Sequence, residues 1–279
     1  MQPSISAKTI SYVFVFVLLC IYLVPILLVF NVSLKSFEDY LNNPFSIASQ
    51  FNFSNYTEAW KQGNFSDYLL NSLLYTGVTT VVSIILAIFA AFPIARGYIA
   101  WGGFFYLLFV MSQFLPNPVV AQYRLMLFLR DNVHSDIGYN SKIGYMLLRT
   151  SGAGLVFMMF VGYIKSISRE LDEAAGIDGA GYLRFLFQII MPLIKPIIAT
   201  GVILTVIGTW NDLVGPIQFL SSPEHFPITA GLKEFRGQYG NNWPLLACAV
   251  MIVAAPLVIL FLFIQKYIVN GALAGAIKS

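Results

Sequence analysis

Six long apolar runs constrain the fold of this chain more than any other feature of its sequence. A helix needs about 20 mostly apolar residues to cross a bilayer. Runs of that length cover about residues 10–34, 68–92, 103–128, 143–164, 196–220 and 244–268. Of the 279 residues 58% are hydrophobic and only 10% charged, whereas soluble domains carry roughly 25% charged residues. The sequence predicts an all-α polytopic membrane protein, with six transmembrane helices in a single domain over residues 1–279.

Composition and residue spacing exclude several classes of function. The net charge is only +3 and the basic residues are dispersed, so we expect no nucleic-acid partner. The two cysteines lie inside apolar runs and the two histidines lie in separate loops, which predicts neither a disulfide framework nor a metal site. The segment from Gly271 to Lys278 lacks the second glycine of a phosphate-binding loop. We therefore expect a protein that is not an enzyme and that carries no cofactor itself.

A polar segment at residues 170–182 separates the fourth and fifth runs. Ser168 is placed to cap a helix whose first turn is acidic, and acidic residues favour the positive end of a helix. Gly176 and Gly179 are then placed to end that helix, because glycine adopts the left-handed conformation readily. Residues 182–190 are mostly apolar, so they can lie along the membrane face. This combination predicts a docking surface in an aqueous loop.

The spacing in this segment resembles the EAA loop of ATP-binding-cassette (ABC) importer permeases. Glu173-Ala174-Ala175 is followed after three residues by Gly179, and Met191 stands where the family usually has leucine. Residues 210–212, Trp-Asn-Asp, and the C-terminal residues 265–278 resemble the carbohydrate, maltose-type branch. The resemblance implies a type I, maltose-like permease fold in which the loop at 166–195 contacts an ATPase. The implied contact residues are Glu170, Asp172, Glu173, Ala174, Ala175, Gly176, Asp178, Gly179, Ala180 and Pro192.

The same resemblance implies the assembly in which the chain works. It would be the permease subunit of a binding-protein-dependent importer for sugars or oligosaccharides, working by alternating access. Its partners would be the lipid bilayer, a second, homologous permease subunit, two cytoplasmic ATPase subunits that bind ATP and Mg²⁺, and an extracytoplasmic sugar-binding protein. A secondary transporter and an ABC permease for a non-sugar solute are the alternatives.

The distribution of basic residues does not determine the orientation in the membrane. The 16 Lys and Arg residues divide equally between the two sets of loops, so the positive-inside rule favours neither side. The resemblance implies that the EAA loop and both termini are cytoplasmic, in the cytoplasmic membrane of a bacterium or archaeon.

Four polar residues within the apolar runs are candidates for the substrate pathway. Asn117 lies between two prolines, which break or kink a helix. Arg149 lies inside the fourth run, where a charge costs about 2–3 kcal/mol unless it snorkels or faces a polar cavity. Asn211 and Asp212 belong to the fifth run, and Asp212 is the only carboxylate in any of the six. A structural hydrogen bond between helices is the alternative role for both.

Residues 231–242, before the last run, are predicted to form an external loop. Its glycines allow close backbone approach, and its aromatic residues supply the apolar contact that interfaces favour. In the maltose-type permeases that it resembles, the matching loop reaches toward the binding protein. The candidate contacts are Phe235, Arg236, Gly237, Tyr239 and Gly240. The alternative is a passive hairpin between two helices.

Overall fold

The computed structural model describes residues 5–151 and 154–276, and most of these residues are helical. The α-helices are α1 Ile5–Ser33, α2 Phe37–Asn42, α3 Ser54–Gln62, α4 Phe65–Arg96, α5 Gly102–Phe114, α6 Val119–Asn132, α7 Lys142–Thr150, α8 Gly154–Lys165, α9 Glu170–Ile177, α10 Tyr182–Phe185, α11 Met191–Leu193, α12 Lys195–Trp210, α13 Val214–Phe219, α14 Ile228–Tyr239 and α15 Trp243–Ala276. A π-helical turn, Leu186–Ile190, joins α10 to α11. Short 3₁₀ turns lie at Ser135–Ile137 and Pro223–His225.

Four helical segments are long and apolar enough to cross a membrane. They are Thr9–Ser33, Phe65–Arg96, Ser135–Lys165 and Trp243–Phe263. Two pairs pass the same test only together, Gly102–Phe114 with Val119–Asn132, bent by 107°, and Tyr182–Leu193 with Lys195–Trp210, bent by 78°. By length and composition, the described residues therefore contain four helices that can span a membrane, or up to six if each bent pair is one span. The predicted all-α membrane fold is confirmed.

The third apolar run is not one continuous helix. Helix α5 ends at Phe114 and α6 begins at Val119, and the residues between them are not helical. Pro116 and Pro118 lie in this gap, and a proline lacks the amide N–H that would continue the helix. The predicted break at the two prolines is confirmed, and the bend of 107° is far sharper than a kink.

The helix of the fifth run ends earlier than predicted. Helix α12 stops at Trp210, so the predicted span end at residue 220 is wrong. The Oδ1 atom of Asp212 accepts the N–H of Gly215 at 3.1 Å, and such a side-chain bond competes with continuation of a helix. Arg149 lies in the last turn of α7, within the candidate span Ser135–Lys165.

The predicted external loop at residues 231–242 is mostly the helix α14, which ends at Tyr239. Phe235 is only 2% exposed, and its ring packs 5.6 Å from that of Phe65 and 4.7 Å from that of Tyr239. Phe235 and Tyr239 are four residues apart, so they share one face of the helix. The loop prediction is wrong, because this apolar face is buried and the backbone is helical.

The described contacts divide the chain into two compact units, Met1–Ser66 with Gly231–Pro256 and Asp67–Ala230 with Leu257–Ser279. In the first, the Nζ atom of the fully buried Lys35 donates to Asn43 O at 2.6 Å and Ser46 Oγ at 2.8 Å. In the second, an apolar core extends from α4 and α8 to the segment around Ala175 and Phe185. The single domain over residues 1–279 stays a prediction.

Candidate functional site

Helix α9 corresponds to the predicted docking helix. At its start the N-cap residue is Arg169, which makes no side-chain cap bond, so Ser168 is not the N-cap that the sequence predicted. Ser168 Oγ still accepts the N–H of Glu170 at 3.2 Å. At its end, Gly179 has φ +66°, and the N–H of Ala180 donates to Ala175 O at 2.8 Å. A left-handed glycine with such a bond is a common helix stop. Gly179 therefore ends the helix as predicted, whereas Gly176 lies inside it.

The residues predicted to contact an ATPase fall into exposed and internal groups. Ala175 is 4% exposed and belongs to the apolar core, whereas Asp172 and Ala180 are partly buried. The exposed ones are Glu170, Glu173, Ala174, Gly176, Asp178, Gly179 and Pro192. This exposed surface is acidic and has small side chains, so the backbone of a partner can approach it closely.

Large apolar side chains are exposed beside this acidic surface. Ile177 is 87% exposed, Leu183 57% and Phe187 50%. Phe187 belongs to the π-helical turn, and such turns are rare and are often found at functional sites. Exposed apolar residues near polar ones can mark interaction sites or membrane contact. The segment around α9 therefore has the surface chemistry expected of a docking site.

A buried ion pair holds α9 against the end of α4. Arg96 Nη2 lies 3.2 Å from Asp172 Oδ2, and the Arg96 side chain is only 2% exposed. Arg96 Nη1 also donates to Ile167 O at 2.8 Å. Tyr98 Oη donates to Asp172 Oδ1 at 2.8 Å, and burial, together with this bond to the carboxylate, raises the pKa of Tyr98 to about 12. We refer to Arg96, Tyr98 and Asp172 as the α4–α9 lock.

The lock was missed in the sequence because it joins residues far apart in the chain. Tyr98 and Asp172 are separated by 74 positions. The available signal was a lone cation, Arg96, at the end of a long apolar run. An aromatic cluster supports the lock, since Phe92 packs 5.6 Å from Tyr98 and 5.0 Å from Tyr182.

A polar cavity of about 350 Å³ lies where the broken third run meets the fourth and fifth runs. Three of the four predicted pathway residues, Asn117, Arg149 and Asp212, line it. Its other lining residues are Ser112, Gln113, Leu115, Pro118, Gln122, Tyr145, Leu148, Ser151, Val214, Gly215, Gln218 and Phe219. Ligand pockets are commonly about 300–1,000 Å³. We refer to this space as the main cavity.

Asn211 is not among the residues lining the main cavity. It is exposed, and its backbone N–H donates to Ile207 O at 3.1 Å, at the end of α12. The sequence interpretation also missed the three glutamines of the cavity, because a glutamine inside an apolar run carries no motif.

Asp212 is the most heavily bonded residue of the main cavity. Its Oδ2 accepts from Tyr145 Oη at 2.9 Å and lies 3.4 Å from Arg149 Nη1. Its Oδ1 accepts from Gly215 N at 3.1 Å, and its backbone carbonyl accepts from Thr229 Oγ1 at 2.8 Å. Arg149 Nη2 also donates to Gly208 O at 3.0 Å. The two opposite charges are thus paired in one wall of the cavity. Arg149 faces a polar cavity, which is one of the two environments that the sequence predicted for it.

Known proteins resemble this chain over most of its length. The melibiose/raffinose/stachyose import permease protein MelC of Bacillus subtilis is 32% identical to it, and the alignment covers 93% of this chain and 92% of MelC. The alpha-glucoside transport system permease protein AglG of Rhizobium meliloti is 31% identical over 82% of this chain and 61% of AglG. A crystal structure of a bacterial ABC transporter that imports the acidic polysaccharide alginate has the same fold, with a TM-score of 0.83, 22% identity and coverage of 96% and 99%.

A family model also matches more than half of the chain. The model described as binding-protein-dependent transport system inner membrane component matches residues 83–272, which include α9, the residues of the main cavity and the C-terminal part of α4. This match and the identity to MelC agree with the spacing of Glu173, Ala174 and Gly179. The chain therefore belongs to the family of inner-membrane components of binding-protein-dependent transport systems.

Proposed function

We propose that this chain is a membrane-spanning permease subunit of an ATP-driven ABC importer for sugars or oligosaccharides. The observation that carries the proposal is α9, an acidic, small-residue helix exposed beside apolar side chains and ended by the left-handed Gly179. The names of MelC and AglG, an oligosaccharide and an alpha-glucoside permease, support a saccharide as the solute. The family argues against the secondary-transporter alternative.

In the proposed mechanism, ATPase subunits bind the exposed surface of α9. Their closure on ATP moves α9, and the α4–α9 lock passes this movement to α4, because the buried ion pair resists separation. Nucleotide can shift the permease between inward- and outward-facing states only through a difference in affinity for the two. ATP and Mg²⁺ are bound by the ATPases, and this chain contributes no catalytic residue.

The main cavity is the proposed substrate pathway. Asn117, Gln113 and Gln122 offer amide groups that both donate and accept hydrogen bonds, which matches the hydroxyl groups of a sugar. Asp212 and Arg149 neutralise each other, so the cavity does not select strongly for charge. A second, homologous permease completes the pathway in this proposal.

The proposed orientation puts α9 and both termini in the cytoplasm, and α14 on the opposite side near a sugar-binding protein. The exposed Arg236 and Gly237, with the partly buried Tyr239 and Gly240, are then the candidate contacts. The buried Phe235 acts on the contact only by holding α14 in position.

The test of this function is copurification and uptake. The chain, expressed with its neighbouring genes, is expected to copurify with an ATPase and a second permease. Reconstituted in liposomes with its binding protein, the complex is expected to take up a labelled saccharide, such as melibiose or raffinose, only with ATP. An amino acid serves as the control solute. A complex that moves solute without any ATPase, or that prefers the amino acid, would disprove the proposal.

A further inference from the structure

A second, smaller cavity meets the main cavity at Arg149. It has a volume of about 160 Å³ and is lined by Ser83, Arg149, Leu155, Val156, Leu204, Thr205, Gly208 and Thr209. Among the residues that the structure describes, Arg149 is the one that lines both cavities. We refer to the smaller space as the side chamber.

The side chamber contains polar groups that no described protein atom satisfies. Ser83 is 1% exposed, and its Oγ has no hydrogen-bond partner within residues 5–151 and 154–276. The Nε–H of Arg149 likewise has no partner in this part of the chain. A buried donor or acceptor without a partner costs free energy, and buried polar groups are normally bonded to protein or to water. Both atoms are themselves buried, so a hydroxyl-bearing ligand in the chamber can bond to them only when neighbouring side chains move aside.

The size of the side chamber limits that ligand. At about 30 Å³ per molecule in the liquid, 160 Å³ corresponds to on the order of five waters. The donor Arg149 Nε and the donor–acceptor Ser83 Oγ suit water or the hydroxyl groups of one sugar unit equally. The apolar part of the lining, Leu155, Val156 and Leu204, does not compete for those bonds.

Arg149 can move away while the carboxylate of Asp212 keeps other hydrogen-bond partners. Besides the ion pair with Arg149, Asp212 keeps its bonds from Tyr145 Oη and from Gly215 N. The Arg149 side chain is 32% exposed, so it is not locked in the core. Rotation of this one side chain has to break only the ion pair with Asp212 and the bond to Gly208 O.

We propose that the side chamber is a binding site for hydroxyl groups and that Arg149, held by Asp212 and Gly208, closes it off from the main cavity. Arg149 is in this sense a positioning residue. The statement that the two cavities together carry a sugar rests on the proposed function. The closure by Arg149 is independent of that function. Ser83 lies thirteen residues before Arg96 on α4, or about 20 Å along the helix, so the chamber adjoins the same helix that the α4–α9 lock holds.

The experiment is thiol labelling of the assembled complex in membrane vesicles. Cys20 and Cys248 are first replaced by alanine, and Ser83→Cys is labelled with 2-aminoethyl methanethiosulfonate, with and without Arg149→Ala. The matched control is Ala87→Cys, which lies one turn further along α4 at 4% exposure in the apolar core. Each variant is labelled both without nucleotide and after trapping with ATP and vanadate.

We expect Ser83→Cys to react in at least one state while Ala87→Cys does not. Removing the guanidinium should raise the rate at Ser83→Cys by about tenfold or more, because one charge-assisted bond shifts an open–closed equilibrium by that order. If Arg149→Ala does not assemble, Asp212→Asn weakens the same closure and should act in the same direction. The proposal would be overturned if Ser83→Cys and Ala87→Cys reacted at equal rates. It would also be overturned if neither Arg149→Ala nor Asp212→Asn changed the labelling rate at Ser83→Cys.

Added raffinose separates the two sources of hydroxyl groups. Slower labelling of Ser83→Cys with the sugar indicates that a sugar unit enters the chamber, and unchanged labelling indicates that water alone does. Failure of the unmodified complex to take up a saccharide with ATP, together with the expected labelling, would count against the proposed function and leave this inference standing.

Discussion

The α4–α9 lock makes a quantitative prediction for Arg96→Met. This change keeps most of the side-chain volume but removes the guanidinium, which is 2% exposed and pairs with Asp172 at 3.2 Å. Removing one partner of a buried ion pair costs about 3–5 kcal/mol. Asp172 is 20% exposed and keeps its bond from Tyr98, so we expect the lower end, about 3 kcal/mol. At about 2–4 °C per kcal/mol, the loss lowers the Tm by roughly 6–12 °C.

The assay for Arg96→Met is thermal unfolding of the purified complex, together with ATPase pull-down and uptake. Arg130→Met is the matched control, because Arg130 is 40% exposed and its pair with Asp131 is also exposed, and exposed pairs add little stability. The double variant Arg96→Met/Asp172→Leu should recover part of the loss, since two apolar side chains leave no unpaired charge. Equal Tm values for Arg96→Met and Arg130→Met would refute the reasoning.

Four further predictions concern α9, the glycine that ends it, the α4–α9 lock and α14. Ala174→Trp should abolish ATPase pull-down at unchanged Tm because the residue is exposed, whereas Ala175→Trp should lower the Tm by overpacking the core; the reverse pattern would contradict the assignment. Gly179→Ala should cost about 1–2 kcal/mol, because a left-handed φ of +66° disfavours any side chain, and an unchanged Tm would contradict this. The pKa of Tyr98 is raised in the folded state from 10.0 to about 12, so the stability that Tyr98 contributes is complete below pH 10 and is lost between pH 10 and about 12. Tyr98→Phe should remove this part of the pH dependence of the Tm, and identical curves of Tm against pH for the two proteins would argue against it. Arg236→Glu should reduce the stimulation of ATPase activity by the binding protein without affecting assembly, and full stimulation would exclude Arg236 as a contact.

The sequence alone was sufficient to predict the membrane class, most of the apolar helices and the polar helix α9. Apolar length decides whether a helix can span a membrane, because every backbone polar group must be bonded within it. Two prolines were sufficient to predict the break in the third run, and Gly179 to predict the end of α9, since both act on the backbone locally. The EAA spacing is likewise local, so it could be read from residues 173–191 without any contact.

The tertiary structure decided which of these residues meet and which are accessible. Tyr145 and Asp212 are 67 positions apart, and no period or motif in the sequence connects them. The structure also buries Phe235 and Ala175, which the sequence interpretation had assigned to partner surfaces. A helix pattern defines an apolar face but not the element that covers it, because burial depends on how distant helices pack. For the same reason the pairing of Arg149 with Asp212, and its position between two cavities, followed only from the folded chain.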